Sequence, residues 1–249
     1  MNTTNKPLSD RIALVTGASR GIGAAVALAL AEQGAHIVAV SRTAGALEEL
    51  DDRIVAAGST TTLVPLDVKD TDGILRLALA IHERYGKLDV LVGNAGVLGT
   101  GSPVDHIEPK SWNDTFAVNL TANWHFLRAF DPLLKASDAG RAVFISSGLA
   151  TKVMAYFSAY SASKAALDML VRTYAAEVAT TNVRANLFNP GRTRTHMMAV
   201  AFPGVDPDDL TPPADIAKAL VPLCLPSFKE NGVLYDYPSR KVLAFQPPA

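Results

Sequence analysis

The chain has 249 residues, of which 49% are hydrophobic and 19% charged, a balance that excludes a largely disordered protein and allows a sizeable core. The net charge of −1 favours neither nucleic acid nor an anionic membrane as a partner, and the single cysteine, Cys224, excludes a disulfide framework or a thiolate zinc site within one chain. With no apolar run of the roughly 18 residues that a membrane span needs and no pattern typical of a secretory signal, we expect a cytoplasmic protein without a metal site.

The first half of the sequence alternates short apolar runs with longer helical patterns. Gly34 and Gly58 lie where the C-terminal glycines of two helices belong. Runs typical of buried strands cover 12–16, 36–40, 61–66 and 88–92, and helical patterns cover 22–33, 44–57 and 71–85.

The second half continues the alternation. Helical patterns are predicted at 109–136, 156–179 and 214–223, and strands at 142–146, 183–188 and 233–237, with a Pro- and Asp-bearing segment at 190–213. Strands that alternate with helices of this length pair in parallel through right-handed crossovers, and continuous apolar strands indicate a sheet covered on both faces. The pattern therefore predicts an α/β fold: a Rossmann-type three-layer α/β/α sandwich with a doubly wound parallel sheet of about seven strands, in one domain over 1–249.

The turn between the first predicted strand and the first predicted helix, residues 16–23, has the sequence TGASRGIG. Glycine allows a sharp turn and the close approach of a pyrophosphate, and the helix N-terminus offers free N–H groups to phosphates. The same residues also fit the G-x-S-x-G turn of α/β-hydrolases, in which Ser19 would be the nucleophile. That hypothesis leaves Gly23 unexplained and only a short polar tail to build an oxyanion loop.

The turn resembles the TGxxxGxG cofactor turn of the classical short-chain dehydrogenase/reductase family, and the resemblance runs in matching order from about residue 12 to 237. The sequence is similar to the 3-oxoacyl-carrier-protein-reductase-like branch, although GVLYDYP at 232–238 departs from the paired glycines usual there. The resemblance implies a cofactor half at about 10–120 and a catalytic and substrate part at about 119–249.

The resemblance also implies a homo-oligomer, a tetramer or dimer, formed through the two long predicted helices. The apolar residues on those helices could equally belong to the core of one chain. The candidates are Phe126, Phe130, Leu133, Ala165, Leu167, Met169 and Leu170.

Tyr160 and Lys164 stand four residues apart, on one face of a predicted helix that opens at the carboxyl end of the sheet, where ligands bind in such folds. A free tyrosine has a pKa of about 10, and a cation held nearby stabilises the phenolate. Tyr160 could then give a proton to a carbonyl oxygen or take one from a hydroxyl. In the family that this chain resembles, the matching lysine also holds the nicotinamide ribose.

Two further residues complete the candidate catalytic set. Ser147 follows a predicted strand, and its spacing to Tyr160 matches the catalytic serine of the family, with Ser146 as the neighbouring alternative. Asn119 interrupts an apolar helical stretch, where asparagine is unfavourable unless its amide has a partner. The resemblance implies that Asn119 orders a water beside Lys164; the residue could instead satisfy a nearby backbone group.

The charge at the end of the second predicted strand indicates which nicotinamide cofactor is bound. Domains that bind NAD hold the ribose 2′-hydroxyl with a carboxylate there, whereas this strand ends in Ser41 and Arg42. Arg20, in the glycine turn, supplies a second cation for a 2′-phosphate. We therefore expect NADP(H) to be preferred over NAD(H).

The resemblance implies the remaining cofactor contacts, with two departures: Gly93 stands where the family has asparagine, and Thr193 where it usually has an apolar β-branched residue. The expected cofactor-binding residues are Gly17, Ser19, Arg20, Gly21, Ile22, Gly23, Ser41, Arg42, Asp67, Val68, Asn94, Ala95, Gly96, Tyr160, Lys164, Pro190, Gly191, Thr193 and Thr195.

The segment after Gly191 should cover the active site, with apolar side chains suited to a moderately apolar carbonyl compound. The candidate substrate contacts are Leu149, Met154, Phe157, Met197, Met198 and Phe202, and His196 lies among them. The sequence thus predicts an NADP(H)-dependent oxidoreductase that acts on a carbonyl or a secondary alcohol. The alternatives are a non-enzymatic NADP-binding regulator on the same fold and a hydrolase that uses Ser19.

Overall fold

A computed structural model describes residues 6–245, and within them the strands form one sheet. The strands are β1 (Ile12–Thr16), β2 (His36–Ser41), β3 (Thr61–Pro65), β4 (Val90–Gly93), β5 (Arg141–Ile145), β6 (Arg184–Asn189), β7 (Leu234–Asp236) and β8 (Lys241–Leu243). Their order in the sheet is β3-β2-β1-β4-β5-β6-β7-β8.

The helices lie between the strands, as the alternating pattern predicts. They are α1 (Gly21–Glu32), α2 (Ala44–Ala56), α3 (Thr71–Tyr85), α4 (Pro109–Phe116), α5 (Ala122–Ala136), α6 (Ser158–Glu177), α7 (His196–Ala201) and α8 (Pro213–Cys224). The stretch predicted as one helix at 109–136 is divided, because a π-helical turn at Ala117–Thr121 separates α4 from α5.

The strands β1 to β7 pair in parallel, and the central ones are buried along their whole length. This confirms the doubly wound fold. The sheet has one strand more than expected, because β8 pairs with β7 in the antiparallel sense. The connection between β7 and β8 is a tight turn in which Arg240 has a positive φ of 57°, and a connection this short joins only antiparallel strands.

Two apolar layers cover the sheet. One packs Val26 and Leu30 of α1 and Leu220 of α8 against the strands, and the other packs α5 and α6. Phe126, Phe130, Leu133 and Leu167, considered above for a subunit contact, are buried within this second layer. Ala165 and Met169 are exposed, the latter by 57%.

Two predicted boundaries differ near the carboxyl end of the sheet. The helix predicted from 156 begins at Ser158, because Tyr156 has a left-handed backbone with φ of 72° that a helix cannot contain. The Pro- and Asp-bearing segment 190–213, for which no helix or strand was predicted, contains α7. None of the helices in residues 6–245 is long and apolar enough to cross a membrane.

Candidate active site

The order of the strands places the site. Connections from β1 run toward β2 on one side, and β4 lies on the other side, so a crevice opens at the carboxyl ends of β1 and β4. Ligands of open α/β sheets bind at such a switch point. The glycine turn follows β1 and residues 94–96 follow β4, so the fold brings these two predicted cofactor segments together.

Thr16 and Asn94 join the two segments. The carboxamide of Asn94 donates hydrogen bonds to the carbonyl oxygens of Thr16 (2.8 Å) and Gly17 (3.3 Å). In return, the Thr16 hydroxyl accepts hydrogen bonds from the backbone N–H groups of Asn94 and Ala95, both at 3.0 Å. Sequence reasoning missed Thr16; a hydroxyl residue at the last position of an apolar strand, just before a glycine turn, was the available signal.

Glycine is required at two positions of this turn. Gly17 has a φ of 66°, and a Cβ there would lie 2.9 Å from the Asn94 amide nitrogen. A Cβ at Gly23 would collide with the carbonyl oxygen of Gly17 and with the Asn94 amide. The backbone of the glycine turn therefore passes so close to neighbouring atoms that no side chain fits at residues 17 and 23. The N-terminus of α1 opens into the crevice. Ile22, between these glycines in α1, packs against the core.

Gly93, where the resembling family has asparagine, has a packing explanation. A Cβ at this position would collide with the ring of Phe144 on β5 and would approach Asn123 of α5. The Asn123 carboxamide itself donates to the carbonyl oxygen of Asn119 at 2.8 Å. The space that a larger side chain would need at residue 93 is thus filled from β5 and α5.

The carboxyl ends of β2 and β3 form the outer end of the crevice. Arg42 and Lys69 line a cavity of about 450 Å³ there, together with Val118 at the π-helical turn. Arg42 and Arg20 are both exposed, whereas Ser41 is buried and its oxygen accepts from the backbone N–H of Thr43 at 3.2 Å. The Asp67 carboxylate accepts from the backbone N–H of Lys69 at 3.0 Å, and Val68 is buried beside it.

Tyr160 lies in the first turn of α6, in hydrogen-bond contact with the hydroxyl of Ser147 at the end of β5. Burial raises the pKa of Tyr160 above its ordinary value, while the hydrogen bond with Ser147 acts in the opposite direction. The net direction is opposite to the one expected from the Lys164 charge alone, because burial removes solvation from the phenolate. Tyr160 is therefore held as a phenol that has a proton to donate.

Lys164 lies one helical turn after Tyr160 and is 3% exposed. Its Nζ donates a 2.7 Å hydrogen bond to the carbonyl oxygen of Ile145 and lies 5.9 Å from the centre of the Tyr160 ring. Burial lowers the pKa of Lys164 to about 8, and the negative charge of Asp168 opposes that shift. A Cβ on Gly96 would lie 3.8 Å from this ammonium nitrogen, so the segment after β4 also reaches Lys164.

Asn119 is fully buried in the π-helical turn between α4 and α5. Its Oδ1 accepts from the backbone N–H of Val97 at 2.8 Å, and its Nδ2 donates to the Val97 carbonyl oxygen at 2.9 Å and to Ser163 Oγ at 3.0 Å. The side chain thus fixes the segment after β4 and the turn of α6 that carries Lys164. π-Helical turns within helices are frequent at functional sites.

The structure separates the two serine candidates. Ser146 is buried, and its hydroxyl donates a 2.6 Å hydrogen bond to Asp168 Oδ1, so it does not contact Tyr160. Ser147 is the residue that reaches Tyr160, and its Oγ also accepts from the backbone N–H of Leu149 at 3.2 Å. Asp168 was missed by sequence reasoning, although a charged residue four positions after Lys164, among apolar neighbours, was visible.

The segment after β6 approaches the crevice from the other side. Asn189 Oδ1 accepts from the backbone N–H of Gly191 at 3.1 Å, and its amide donates to Asp236 at 2.6 Å, which fixes the turn Pro190–Gly191 to β7. Thr193, which stands where the family usually has an apolar residue, is buried. Its hydroxyl donates a hydrogen bond to the Pro190 carbonyl oxygen at 3.4 Å, so this buried polar group has a partner.

Thr195 and α7 bring this segment over the glycine turn. Thr195 caps α7 by accepting from the backbone N–H of Met198 at 3.2 Å, and its methyl group lies 3.4 Å from the position of a Cβ on Gly21. Phe202, just after α7, stacks on Phe157 with ring centres 5.7 Å apart. The remaining candidate substrate residues border the same region as half-buried or exposed side chains: Leu149, Met154, Met197 and Met198. His196 is exposed.

Between residues 6 and 245, no group of three or more His, Cys, Asp or Glu side chains is arranged to hold a metal ion. Ser19 lies half-buried in the glycine turn.

The chain is similar to known proteins over most of its length. A family model described as short chain dehydrogenase matches residues 11–205. The chain is 37% identical to the uncharacterized oxidoreductase YciK of Escherichia coli K12, in an alignment of 243 residues that covers 94% of each protein. A short chain dehydrogenase structure from Pseudomonas syringae superposes with a TM-score of 0.88 at 36% identity, over 93% of this chain and 96% of that one. Another, from Escherichia coli CFT073 and complexed with NADPH, has a TM-score of 0.87 at 35% identity over 94% of this chain and 98% of that chain.

Proposed function

Because the chain belongs to the short-chain dehydrogenase family, we propose that it is an NADP(H)-dependent oxidoreductase that interconverts a carbonyl compound and a secondary alcohol. The observation that carries this proposal is the convergence of Ser147, Tyr160 and Lys164 at the carboxyl ends of the strands. Together they present a hydroxyl, a phenol that retains its proton and a buried ammonium group, which is the set needed to bind and protonate a carbonyl oxygen.

The residues at the crevice fit a dinucleotide with a 2′-phosphate. The close passage of Gly17 and Gly23 leaves the N-terminus of α1 open to a pyrophosphate. At the outer end of the crevice, Ser41 and Arg42 occupy the position at which NAD-binding domains have a carboxylate, a group that would repel a 2′-phosphate. Arg20 adds a second exposed guanidinium. The NADPH complex of the similar Escherichia coli protein supports the same cofactor here.

When bound, NADPH supplies the hydride for the carbonyl carbon. The Ser147 hydroxyl donates a hydrogen bond to the carbonyl oxygen, and Tyr160 transfers its phenol proton to that oxygen. Lys164 holds the nicotinamide ribose and stabilises the phenolate that Tyr160 becomes. In the opposite direction Tyr160 accepts the alcohol proton.

Asn119 supports this set through its side chain. Its amide clamps the backbone of Val97 and bonds Ser163, so it keeps the segment after β4 close to Lys164. A water held beside Lys164, as implied by the family resemblance, stays a prediction. In this proposal one domain contains both the cofactor half and the catalytic part.

The substrate is proposed to be moderately apolar, because the stacked pair Phe157 and Phe202 and the methionines of α7 border the active site. The exposed Ala165 and Met169 on α6 are proposed to contribute to a contact between subunits of a dimer or tetramer. Cross-linking and light scattering of the purified protein would measure that state.

The proposal is tested by paired titrations and a substrate screen. We expect NADPH to bind more tightly than NADH, and a panel of ketones and aldehydes of graded apolarity to oxidise NADPH, as measured at the nicotinamide absorbance. Tighter binding of NADH would contradict the cofactor assignment. Binding of NADPH without turnover of any carbonyl or alcohol would favour the regulator alternative. Labelling of Ser19 by a serine-reactive phosphonate would revive the hydrolase alternative, and we expect none.

A further inference from the structure

Asp168 is a buried carboxylate that the proposed reaction leaves without a role. The residue is 6% exposed and lies one helical turn after Lys164 on α6. Its Oδ1 accepts a 2.6 Å hydrogen bond from the hydroxyl of Ser146. A buried ionisable group is costly unless it is hydrogen-bonded or faces an opposite charge, so its position beside the catalytic residues calls for a physical reason.

Hydrogen bonds join the end of β5 to α6 at three successive helical turns. The carbonyl oxygen of Ile145 accepts from Lys164 Nζ at 2.7 Å, and the next two residues, Ser146 and Ser147, bond Asp168 and Tyr160. Residues 160, 164 and 168 are four apart and therefore share one face of the helix. The contact of Asp168 is thus continuous with the two that position the catalytic phenol and ammonium.

The charges around Asp168 come from its own helix. Lys164 precedes it by one turn and Arg172 follows by one turn, and both act to lower its pKa, which burial raises to about 6. The Arg172 guanidinium lies over the ring of Phe245, 3.9 Å from its centre. Within residues 6–245, Asp168 is the charged group that acts on Lys164; from β5 that ammonium meets the Ile145 carbonyl, and Tyr160 faces it as a neutral phenol.

The geometry points to Asp168 as a positioning residue, held by Ser146, whose carboxylate keeps the Lys164 ammonium charged and in place beside Tyr160. This inference rests on the proposed function, in which Lys164 holds the ribose and stabilises the phenolate. Asp168 acts through Lys164 and does not touch the substrate. A purely structural bond between α6 and β5 would instead contribute equally at every pH.

The test compares Asp168→Asn with the parent protein over pH 5 to 10. Asparagine keeps the size of the side chain and can still accept from Ser146, but it carries no charge. Without that charge the pKa of Lys164 falls further, so the alkaline limb of NADPH-dependent carbonyl reduction should move toward acid by about one pH unit. The ratio of kcat/KM, parent over variant, should increase above pH 6 and approach one below it, where Asp168 of the parent is itself protonated. An unmoved limb, or a ratio independent of pH, overturns the inference.

Ser146→Ala gives a second, independent arm and carries the test if Asp168→Asn does not fold. Loss of the Ser146 hydroxyl raises the pKa of Asp168, so this variant should resemble Asp168→Asn at neutral pH and recover toward the parent above it. The matched control is Asp131→Asn. Asp131 lies on α5 and accepts a 2.9 Å hydrogen bond from Tyr174, which is on α6 but away from Lys164. The alkaline limb of the pH profile should not move in this control, and a shift equal to that of Asp168→Asn would overturn the inference.

Binding of NADPH, followed by nicotinamide fluorescence, separates failure of the inference from failure of the proposed function. If the parent binds NADPH but reduces no carbonyl, the proposed function fails, while the inference still predicts that the affinity of Asp168→Asn falls more steeply with pH than that of the parent. Identical pH dependences of the two dissociation constants overturn the inference alone. A parent that binds no NADPH overturns both.

Discussion

The carboxamide of Asn94 donates a 2.8 Å hydrogen bond to the carbonyl oxygen of Thr16, and so joins the carboxyl end of β4 to that of β1. These two strands are neighbours in the sheet although they lie far apart in the chain. The bond draws the glycine turn so close to residue 94 that no side chain fits between them, which explains why the turn requires glycine at residue 23.

Gly23→Ala should abolish NADPH binding and destabilise the protein. The new Cβ would collide with the Gly17 carbonyl and the Asn94 amide, both of which belong to rigid surroundings. Gly45→Ala is the matched control, because nothing lies within 4 Å of a Cβ there and the residue is in α2. Alanine in that helix should stabilise the protein by up to about 1 kcal/mol without affecting the cofactor. Fluorescence titration and urea unfolding measure both effects; a Gly23→Ala protein that binds NADPH normally would refute the tight turn.

Tyr160→Phe should retain NADPH affinity and lose turnover by about 10²- to 10⁴-fold, because the ring remains but the proton donor is gone. Ser147→Ala should lower kcat by a smaller factor, since it removes one hydrogen bond to the reacting oxygen. Steady-state kinetics with the best carbonyl from the screen, beside NADPH titrations, measure the two quantities separately. Turnover by Tyr160→Phe at the parental rate would disprove the proposed acid–base role.

Arg42→Ala should weaken NADPH binding by about tenfold and leave NADH binding unchanged, because only NADPH carries the 2′-phosphate. Arg53→Ala, an exposed arginine on α2, removes the same charge from the surface and serves as the control. The preference for NADPH should also decline at high salt, since Arg42 is exposed and screened. Equal losses for the two cofactors in Arg42→Ala would show that this guanidinium does not read the phosphate.

We expect the buried charge of Lys164 to destabilise the folded protein at neutral pH. Burial lowers its pKa from 10.5 to about 8, so between these values the unfolded chain binds more protons than the folded one, and stability rises with pH across this window. The contribution amounts to about 3 kcal/mol, and Lys164→Met should remove this rise while it eliminates activity. Urea unfolding at pH 7 and pH 10 measures the change, with Lys218→Met on the exposed face of α8 as the control. The same pH slope in Lys164→Met as in the parent would contradict the assigned burial of the charge.

Asp89→Ala should be the most destabilising of these substitutions outside the site, at about 3–5 kcal/mol. The buried carboxylate accepts from the backbone N–H of Ile12 (2.9 Å), from Ser137 (2.6 Å) and from Arg11 (3.1 Å), and each of these bonds would be lost. Asp138→Ala removes an exposed partner of the same Arg11 and should cost less than about 1 kcal/mol. Urea denaturation gives both free energies of unfolding; equal costs would mean that burial of Asp89 does not matter.

The alternation of apolar runs and helical patterns was sufficient to predict the parallel sheet and its layers, because each signal is local. The tight turn after β7 and the π-helical turn at Asn119 were not predicted, since both depend on how neighbouring elements fit. Tyr160 and Lys164 were identifiable because their spacing of four residues already fixes them on one helix face.

The sequence by itself determined the candidates for the proposed chemistry: the glycines of the turn, a second strand that ends without a carboxylate, and the hydroxyl, phenol and ammonium groups. Only the tertiary structure decided which of Ser146 and Ser147 contacts Tyr160, because adjacent residues at a strand end point to different partners, one to Asp168 and the other to Tyr160. Burial likewise set the direction of the pKa shifts of Tyr160 and Lys164, and that burial results from the packing of α6 against β6 and against the residues that follow β5, which no local pattern encodes.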